Sequence, residues 1–187
     1  MNKVLIILFG FLLTVGAGSG KPASLNYKVE PFQFTDQEGK PVALDDLKGK
    51  VWVAQFIFTH CTTVCPTLTS NMAELQKKLK DKGAAAELVS FSVDPDKDTP
   101  EAMKAYLSKF QADFSHWRAL TGYSFNDIRA FARQSFKIAV EKDASSDQVI
   151  HGTSFFLVDK SGTVVADYDG EEPPYDQMIR DIKALAK

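Results

Sequence analysis

An apolar run, residues 51–58 (Val-Trp-Val-Ala-Gln-Phe-Ile-Phe), leads straight into Thr59-His60-Cys61-Thr62-Thr63-Val64-Cys65-Pro66. The run has the composition of a strand buried on both faces. Pro66 then opens a helical pattern, with apolar residues at Leu68, Met72, Leu75 and Leu79. Their spacing predicts one buried stripe, and proline suits the first helical turn. Cys61 and Cys65 are the only two cysteines of the chain. A strand that delivers two thiols to a helix N-terminus is a reactive or metal-binding arrangement, because the helix dipole and its free N–H groups favour thiolate.

The remaining composition narrows the class. The chain has 187 residues, enough for one domain with a substantial core. A formal charge of −2 gives no footing for nucleic acid or an anionic surface as partner. Two cysteines are too few for a disulfide scaffold, so the pair is read for chemistry first. At the start, Lys3 precedes an apolar run over 4–15 and a small-residue zone over 16–20. That pattern predicts a signal peptide or N-terminal membrane anchor over 1–19, a linker over 20–26 and one domain over 27–187. The apolar run falls short of the roughly 20 residues that span a bilayer. Export places the thiols where cysteines tend to be oxidised.

Residues 25–29, 32–34 and 42–44 alternate as half-buried strands around a turn at 36–39, an N-terminal hairpin. The first helix is predicted over 66–80, closed by lysines and Gly83. A strand over 87–93 and a helix opened by Thr99-Pro100-Glu101 follow. Further on come a short strand at 117–120, a helix at 124–134, a brief strand at 137–140 and a polar loop over 141–148. Strands at 153–158 and 164–168 form a hairpin, and Pro173-Pro174 opens the last helix. The order predicts an α/β sandwich with a mixed central sheet, and a dithiol at the first strand-to-helix turn makes it similar to the thioredoxin fold.

Three residues separate Cys61 from Cys65, close enough to bridge each other or to share one ion. Closing so small a loop removes little unfolded-state entropy, which argues against a purely structural disulfide. Soft sulfur selects Cu(I) and imidazole also suits Cu(II). Of the three histidines, His60 sits beside Cys61 on a strand-exit loop, where it would usually point away, and His116 has no partner in its segment. His151 precedes the strand at 153–158. In a thioredoxin-like sheet that strand runs antiparallel beside residues 51–58, which sets His151 opposite the cysteines as a candidate third ligand. Met72 lies on the inward stripe and reads as core. No proline stands between Pro100 and Pro173, so the proline that faces the dithiol in thioredoxin-like oxidoreductases has no counterpart here. His151-Gly152-Thr153 occupies its place.

The stretch from Phe58 to Pro66, the segment Ser92-Val93-Asp94-Pro95 with Thr99-Pro100-Glu101, and residues 149–159 (Val-Ile-His-Gly-Thr-Ser-Phe-Phe-Leu-Val-Asp) resemble the SCO/SenC family, most closely its Gram-positive bacterial members. These are exported, membrane-associated copper proteins of thioredoxin fold that assist assembly of the dinuclear copper centre of cytochrome c oxidase. The resemblance implies that Cys61, Cys65 and His151 are copper ligands. It implies that Asp94 supports them or meets a partner, against the alternative of a plain turn residue before Pro95. It further implies the copper-bearing oxidase subunit as partner, a thiol reductant protein as a second one, and a place on the outer face of the cytoplasmic membrane. Family members often carry a lipobox cysteine, and no cysteine precedes Cys61. The leading expectation is a copper metallochaperone, holding Cu(I) or Cu(II), whose thiols switch binding off when oxidised. The alternative is a thiol–disulfide reductase or redox sensor acting on the same subunit.

Overall fold

The computed structural model describes residues 25–187, so the predicted leader over 1–19 and most of the predicted linker lie outside the described residues. In chain order the elements are β1 (Tyr27–Lys28), β2 (Gln33–Thr35), β3 (Pro41–Ala43), β4 (Trp52–Ile57), α1 (Cys65–Asp81), β5 (Glu87–Ser92) and α2 (Pro100–Ser108). They continue with β6 (Trp117–Leu120), α3 (Phe125–Phe131), β7 (Glu141–Lys142), β8 (Val149–Ile150), β9 (Ser154–Val158), β10 (Thr163–Asp169) and α4 (Tyr175–Ala186). Six strands form the central sheet in the order β1-β10-β9-β4-β5-β6. β4, β5 and β6 run parallel, while β9 lies antiparallel to β4 and β10 antiparallel to β9. This is the expected α/β architecture with a mixed sheet, a thioredoxin-like fold. No helix among the described residues is long and apolar enough to cross a membrane.

All six residues of β4 are buried, as a strand flanked by β5 and β9 and covered on both faces must be. Trp52 and Phe56 pack on Phe91 and Phe136, and Phe56 and Phe136 on Phe156, with ring centroids 5.1 to 6.4 Å apart. In α1 the stripe Leu68, Met72, Leu75 and Leu79 is buried. Gly83, with φ +58, ends that helix: its N–H donates to Lys80 and the Ala84 N–H to Leu79, a Schellman closure that a left-handed residue permits. Thr99 caps α2 by accepting from the Ala102 N–H at 3.2 Å.

Three boundaries differ from expectation. Residues 25–29 are not part of the N-terminal hairpin; Tyr27 and Lys28 pair with β10, while β2 and β3 make the hairpin alone. The helix predicted over 124–134 starts with a Ser124–Asp127 capping box but widens into a π turn at Ala132–Phe136. That wider turn lets Phe131 and Phe136 both pack on Phe91 and on each other, 5.8 Å apart. Finally, residues 137–140 form no strand. Lys137 is left-handed (φ 60), and the polar stretch after it supplies the ladder instead, Glu141–Lys142 pairing with Val149–Ile150. The buried Val140 gives the segment strand-like alternation without a neighbouring strand to pair with.

The β2–β3 hairpin protects the β6 edge of the sheet. Thr35 and Thr121 exchange backbone hydrogen bonds of 2.9 Å, and the buried Gln37 accepts from the Ala119 N–H at 2.8 Å. Asp36 fixes the hairpin turn, its Oδ1 accepting from the Glu38 and Lys40 N–H groups. Gln37→Ala leaves the Ala119 N–H without an acceptor in a buried site. It should lower unfolding stability by about 1–3 kcal/mol, measured by urea denaturation; an unchanged midpoint would show that the hairpin is not what satisfies this edge.

Candidate metal centre

The exit of β4 turns at residues 59–64 and enters α1 with Cys65 as its first residue. Val64, at the cap position, gives no side-chain cap. The sulfur of Cys61 takes that role, accepting from the Cys65 N–H at 3.3 Å. Thr63 Oγ1 lies 3.6 Å from the same sulfur. Cys61 is 8% exposed and Cys65 fully buried, and neither is in a disulfide.

The two thiols are electrostatically opposite. Burial pushes Cys61 up, but hydrogen bonds from the Cys65 thiol, the Thr63 and Cys65 amides and the Thr63 hydroxyl outweigh it, so its pKa falls below the usual thiol range. Cys65 is pushed far up, first by burial, then by its hydrogen bond to Cys61 and by the charges of Cys61 and Asp98. The thiolate therefore forms on the loop cysteine, not on the one inside the helix. The reason is local: the free N–H groups of the first helical turn point back toward the loop.

His151 stands across from this pair. In the antiparallel β4–β9 register Ala54 pairs with Phe156, so the start of β9 lies beside the end of β4. The His151 ring packs edge-on against Phe58, and its Nε2 is 3.5 Å from Cys65 Sγ. Its Nδ1 is 2.8 Å from the Gly152 carbonyl oxygen. A carbonyl only accepts, so Nδ1 carries the proton and Nε2 presents its lone pair to sulfur. Burial lowers the His151 pKa and keeps the ring neutral. Close packing holds the segment: a Cβ at Gly170 would collide with the Thr153 carbonyl oxygen and lie 2.8 Å from Leu68. Asn71 of α1 fixes that turn by donating to the Gly170 and Glu171 carbonyls at 2.8 Å each.

The other sequence candidates fall elsewhere. His60 is exposed, its Nδ1 3.0 Å from Thr59 Oγ1 and 3.8 Å from Asp98 Oδ1. His116 is on the surface, 3.3 Å from Glu87. Met72 is fully buried in the core stripe. Asp94 is buried and pairs with Lys97 at 3.5 Å. The carboxylate that reaches the thiol loop belongs to Asp98, not to the candidate Asp94. It is fully buried and accepts from the Thr59 N–H (3.2 Å), Thr59 Oγ1 (2.6 Å) and Ser92 Oγ (2.6 Å). Its burial raises its own pKa. Its sequence signals are its place in the Asp94-Asp96-Asp98 alternation, which lacks the glycine and glutamate of a calcium loop, and its position just before the helix cap Thr99. A groove of about 1010 Å³, lined by Lys50, Lys80, Glu87 and His116 among others, lies at the opposite ends of β4 and β5 and holds neither thiol.

Two sulfurs and one imidazole with a free Nε2 are a donor set for a soft or borderline ion. Sulfur and nitrogen ligands of one tetrahedral ion, with bonds of ~2.3 and ~2.0 Å, stand about 3.5 Å apart. The Cys65–His151 separation of 3.5 Å matches that spacing. Contacts run from Cys61 to Cys65 and from Cys65 to His151. Among the described residues no three such donors already stand as a closed metal cluster.

With this geometry in hand, the chain can be set beside known proteins. The family model of SCO1/SenC matches residues 21–187. The SCO1 protein homolog of Bacillus subtilis is 48% identical over 181 residues, 96% of this chain and 93% of that one. A SCO1/SenC family lipoprotein from Bacillus anthracis has a crystal structure with TM-score 0.85 and 53% identity, covering 88% of this chain and 98% of its own. BsSco, a member of the Sco family of cytochrome c oxidase assembly proteins in which a disulfide switch was identified, gives TM-score 0.82 and 48% identity over 88% of this chain and 96% of its own. Bradyrhizobium japonicum ScoI with copper bound gives TM-score 0.66 and 32% identity over 84% and 99%. The chain belongs to the SCO1/SenC family.

Proposed function

We propose that this protein is a copper-binding assembly factor for cytochrome c oxidase, holding one copper ion through Cys61, Cys65 and His151 and passing it to the copper-bearing subunit of the oxidase. The observation that carries the reading is the His151 tautomer: with Nδ1–H tied to Gly152, the Nε2 lone pair faces Cys65 Sγ at 3.5 Å. A backbone partner on the distal nitrogen orients a ligating imidazole in just this way. The copper-bound and oxidase-assembly relatives support copper as the ion and the oxidase as destination. Exchange of ligands at the exposed edge, beside Cys61, would release the ion, and oxidation of the pair to a disulfide would remove both sulfur donors. The leader pattern, together with a relative that is a lipoprotein, supports an exported protein held at the outer face of the cytoplasmic membrane.

One observation favours a second reading, a thiol–disulfide reductase acting on the same subunit. A loop thiol with lowered pKa beside a helix thiol with raised pKa is the division between attacking and resolving cysteine. The histidine separates the two readings, since reductase chemistry needs both sulfurs and not the imidazole.

Two outcomes are expected. Titrated with copper after reduction, Cys61→Ala and Cys65→Ala should lose stoichiometric binding. His151→Ala should weaken binding by more than the roughly 10- to 100-fold that losing a ligand's outer-shell partner costs; unchanged retention with full disulfide-reductase activity would give the site to the second reading. In the metal-free reduced protein, iodoacetamide should modify Cys61 well ahead of Cys65, with a pH midpoint below the ordinary ~8.5 of a free thiol. Equal rates at the two cysteines would contradict the divided thiol pair.

A further inference from the structure

The ligand histidine hangs from a strap with little apolar anchorage. Residues 141–150 fold back as the β7–β8 ribbon, and Val149 is the one buried residue among them. Ile150, immediately before His151, is 62% exposed. What fastens the strap to the body is charge: Arg129 of α3 holds Glu141 at the start of the strap at 2.7 Å, and two lysines act further along. Lys97 Nζ lies 3.3 Å from Asp147 on the strap and 3.5 Å from Asp94 at the end of β5. Lys142 Nζ, on the strap, lies 3.0 Å from Asp96 and over the Phe125 ring at 4.7 Å. The Gln148 side-chain amide reaches the His60 carbonyl in the thiol loop at 3.5 Å.

We infer that Lys97 and Lys142 are positioning residues for His151, clasping its strap to the Asp94–Asp96 turn so that the imidazole stands over Cys65. An exposed ion pair contributes little alone. Here the pairs act in parallel across one short segment that has a single buried side chain to compete with them, and local opening is governed by just such a shortage of apolar contact. Lys97 stands on the turn after β5 and reaches to the strap, and Lys142 stands on the strap and reaches back to the same turn, so the clasp ties the histidine side of the site to the strand that neighbours the thiol strand. Its strength falls as salt screens the pairs. The clasp itself is independent of any ion; only its consequence for copper rests on the function proposed above.

The test uses hydrogen exchange on the reduced, metal-free chain. Methionine keeps the apolar stem of lysine and removes the charge; arginine keeps the charge. In the Lys97→Met/Lys142→Met double variant, strap amides such as Asp143, which donates to Gln148 O at 3.0 Å, should exchange about fivefold faster, the loss of roughly two exposed pairs. Val53 and Val89 in the central sheet should not change. Raising salt from ~0.05 to ~0.5 M should speed the wild-type strap similarly and the double variant less, through the Arg129–Glu141 pair that it keeps. Lys97→Arg/Lys142→Arg should behave as wild type. Copper(II)-loaded protein should show the nitrogen splitting of a histidine ligand in its electron paramagnetic resonance spectrum, weakened in the methionine variant and restored in the arginine one. Strap exchange indifferent to charge and salt would overturn the clasp, and an unaltered nitrogen signature in the methionine variant would overturn its role in placing His151. Failure of the wild-type protein to bind copper would instead strike the proposed function, leaving the exchange result to decide the clasp.

Discussion

The antiparallel pairing of β9 against β4 is the constraint from which the site follows. Parallel neighbours bring strand ends of the same kind together: β4 and β5 both finish at the thiol end of the sheet. Only an antiparallel neighbour brings a strand's entry to another's exit, and that is what places His151 beside the loop carrying Cys61 and Cys65. Register matters as much as direction, because a slip of one residue would turn every side chain to the opposite face. Here it is held by large rings. Phe156 packs on Phe56 and Phe136, and these pack in turn on Phe91, so a shifted β9 would have to expose a phenylalanine. The missing side chain at Gly170 then allows the next turn to close against Thr153.

Helix geometry decides which sulfur ionises. Free N–H groups at the start of α1 point out of the helix toward the preceding loop, so the sulfur that they meet is that of Cys61. Cys65, although nearer the dipole in sequence, has its thiol in the interior and gives a hydrogen bond where Cys61 receives one. Asp98 deepens the contrast. Its buried carboxylate fixes the β4 exit through Thr59 and ties it to Ser92 at the end of β5, and its charge opposes a second negative sulfur nearby. Asp98 thus shapes the loop and adds a last share to an inequality that burial and hydrogen bonding set first.

Much of this was legible in the sequence because periodicity reports burial directly. The run at 51–58, the stripe from Leu68 to Leu79 and the Thr99 cap each landed within a residue or two of the observed element. What was missed depends on partners distant in the chain. Tyr27 pairs with Val164, a neighbour that local alternation does not encode. The π turn at Ala132–Phe136 follows from where the Phe91 ring stands. Residues 138–140 alternate like a strand yet lack an adjacent one. At the site, the approach of His151 to the cysteines was derivable from topology alone. The choice of Asp98 over Asp94 at the thiol loop was not, since two carboxylates four positions apart in one turn differ only in which way the chain has carried them.

The state of the thiols bears on how anything reaches the pair. With Cys65 protonated and His151 neutral, the three donors carry at most the one negative charge of Cys61, with the buried carboxylate of Asp98 behind the loop. Cys61 is also the more exposed of the two sulfurs. A soft cation and an incoming disulfide are therefore drawn to the same first contact. They part at the second: a cation must displace the Cys65 proton and takes Nε2 as a further ligand, whereas disulfide exchange needs Cys65, once deprotonated, to attack the Cys61 sulfur of the mixed disulfide and expel the substrate thiolate, a step in which the imidazole forms no bond to the substrate. Because Cys65 is the harder sulfur to ionise, the second step is where the two chemistries compete, and under the function proposed above the imidazole 3.5 Å from that sulfur is what favours the ion.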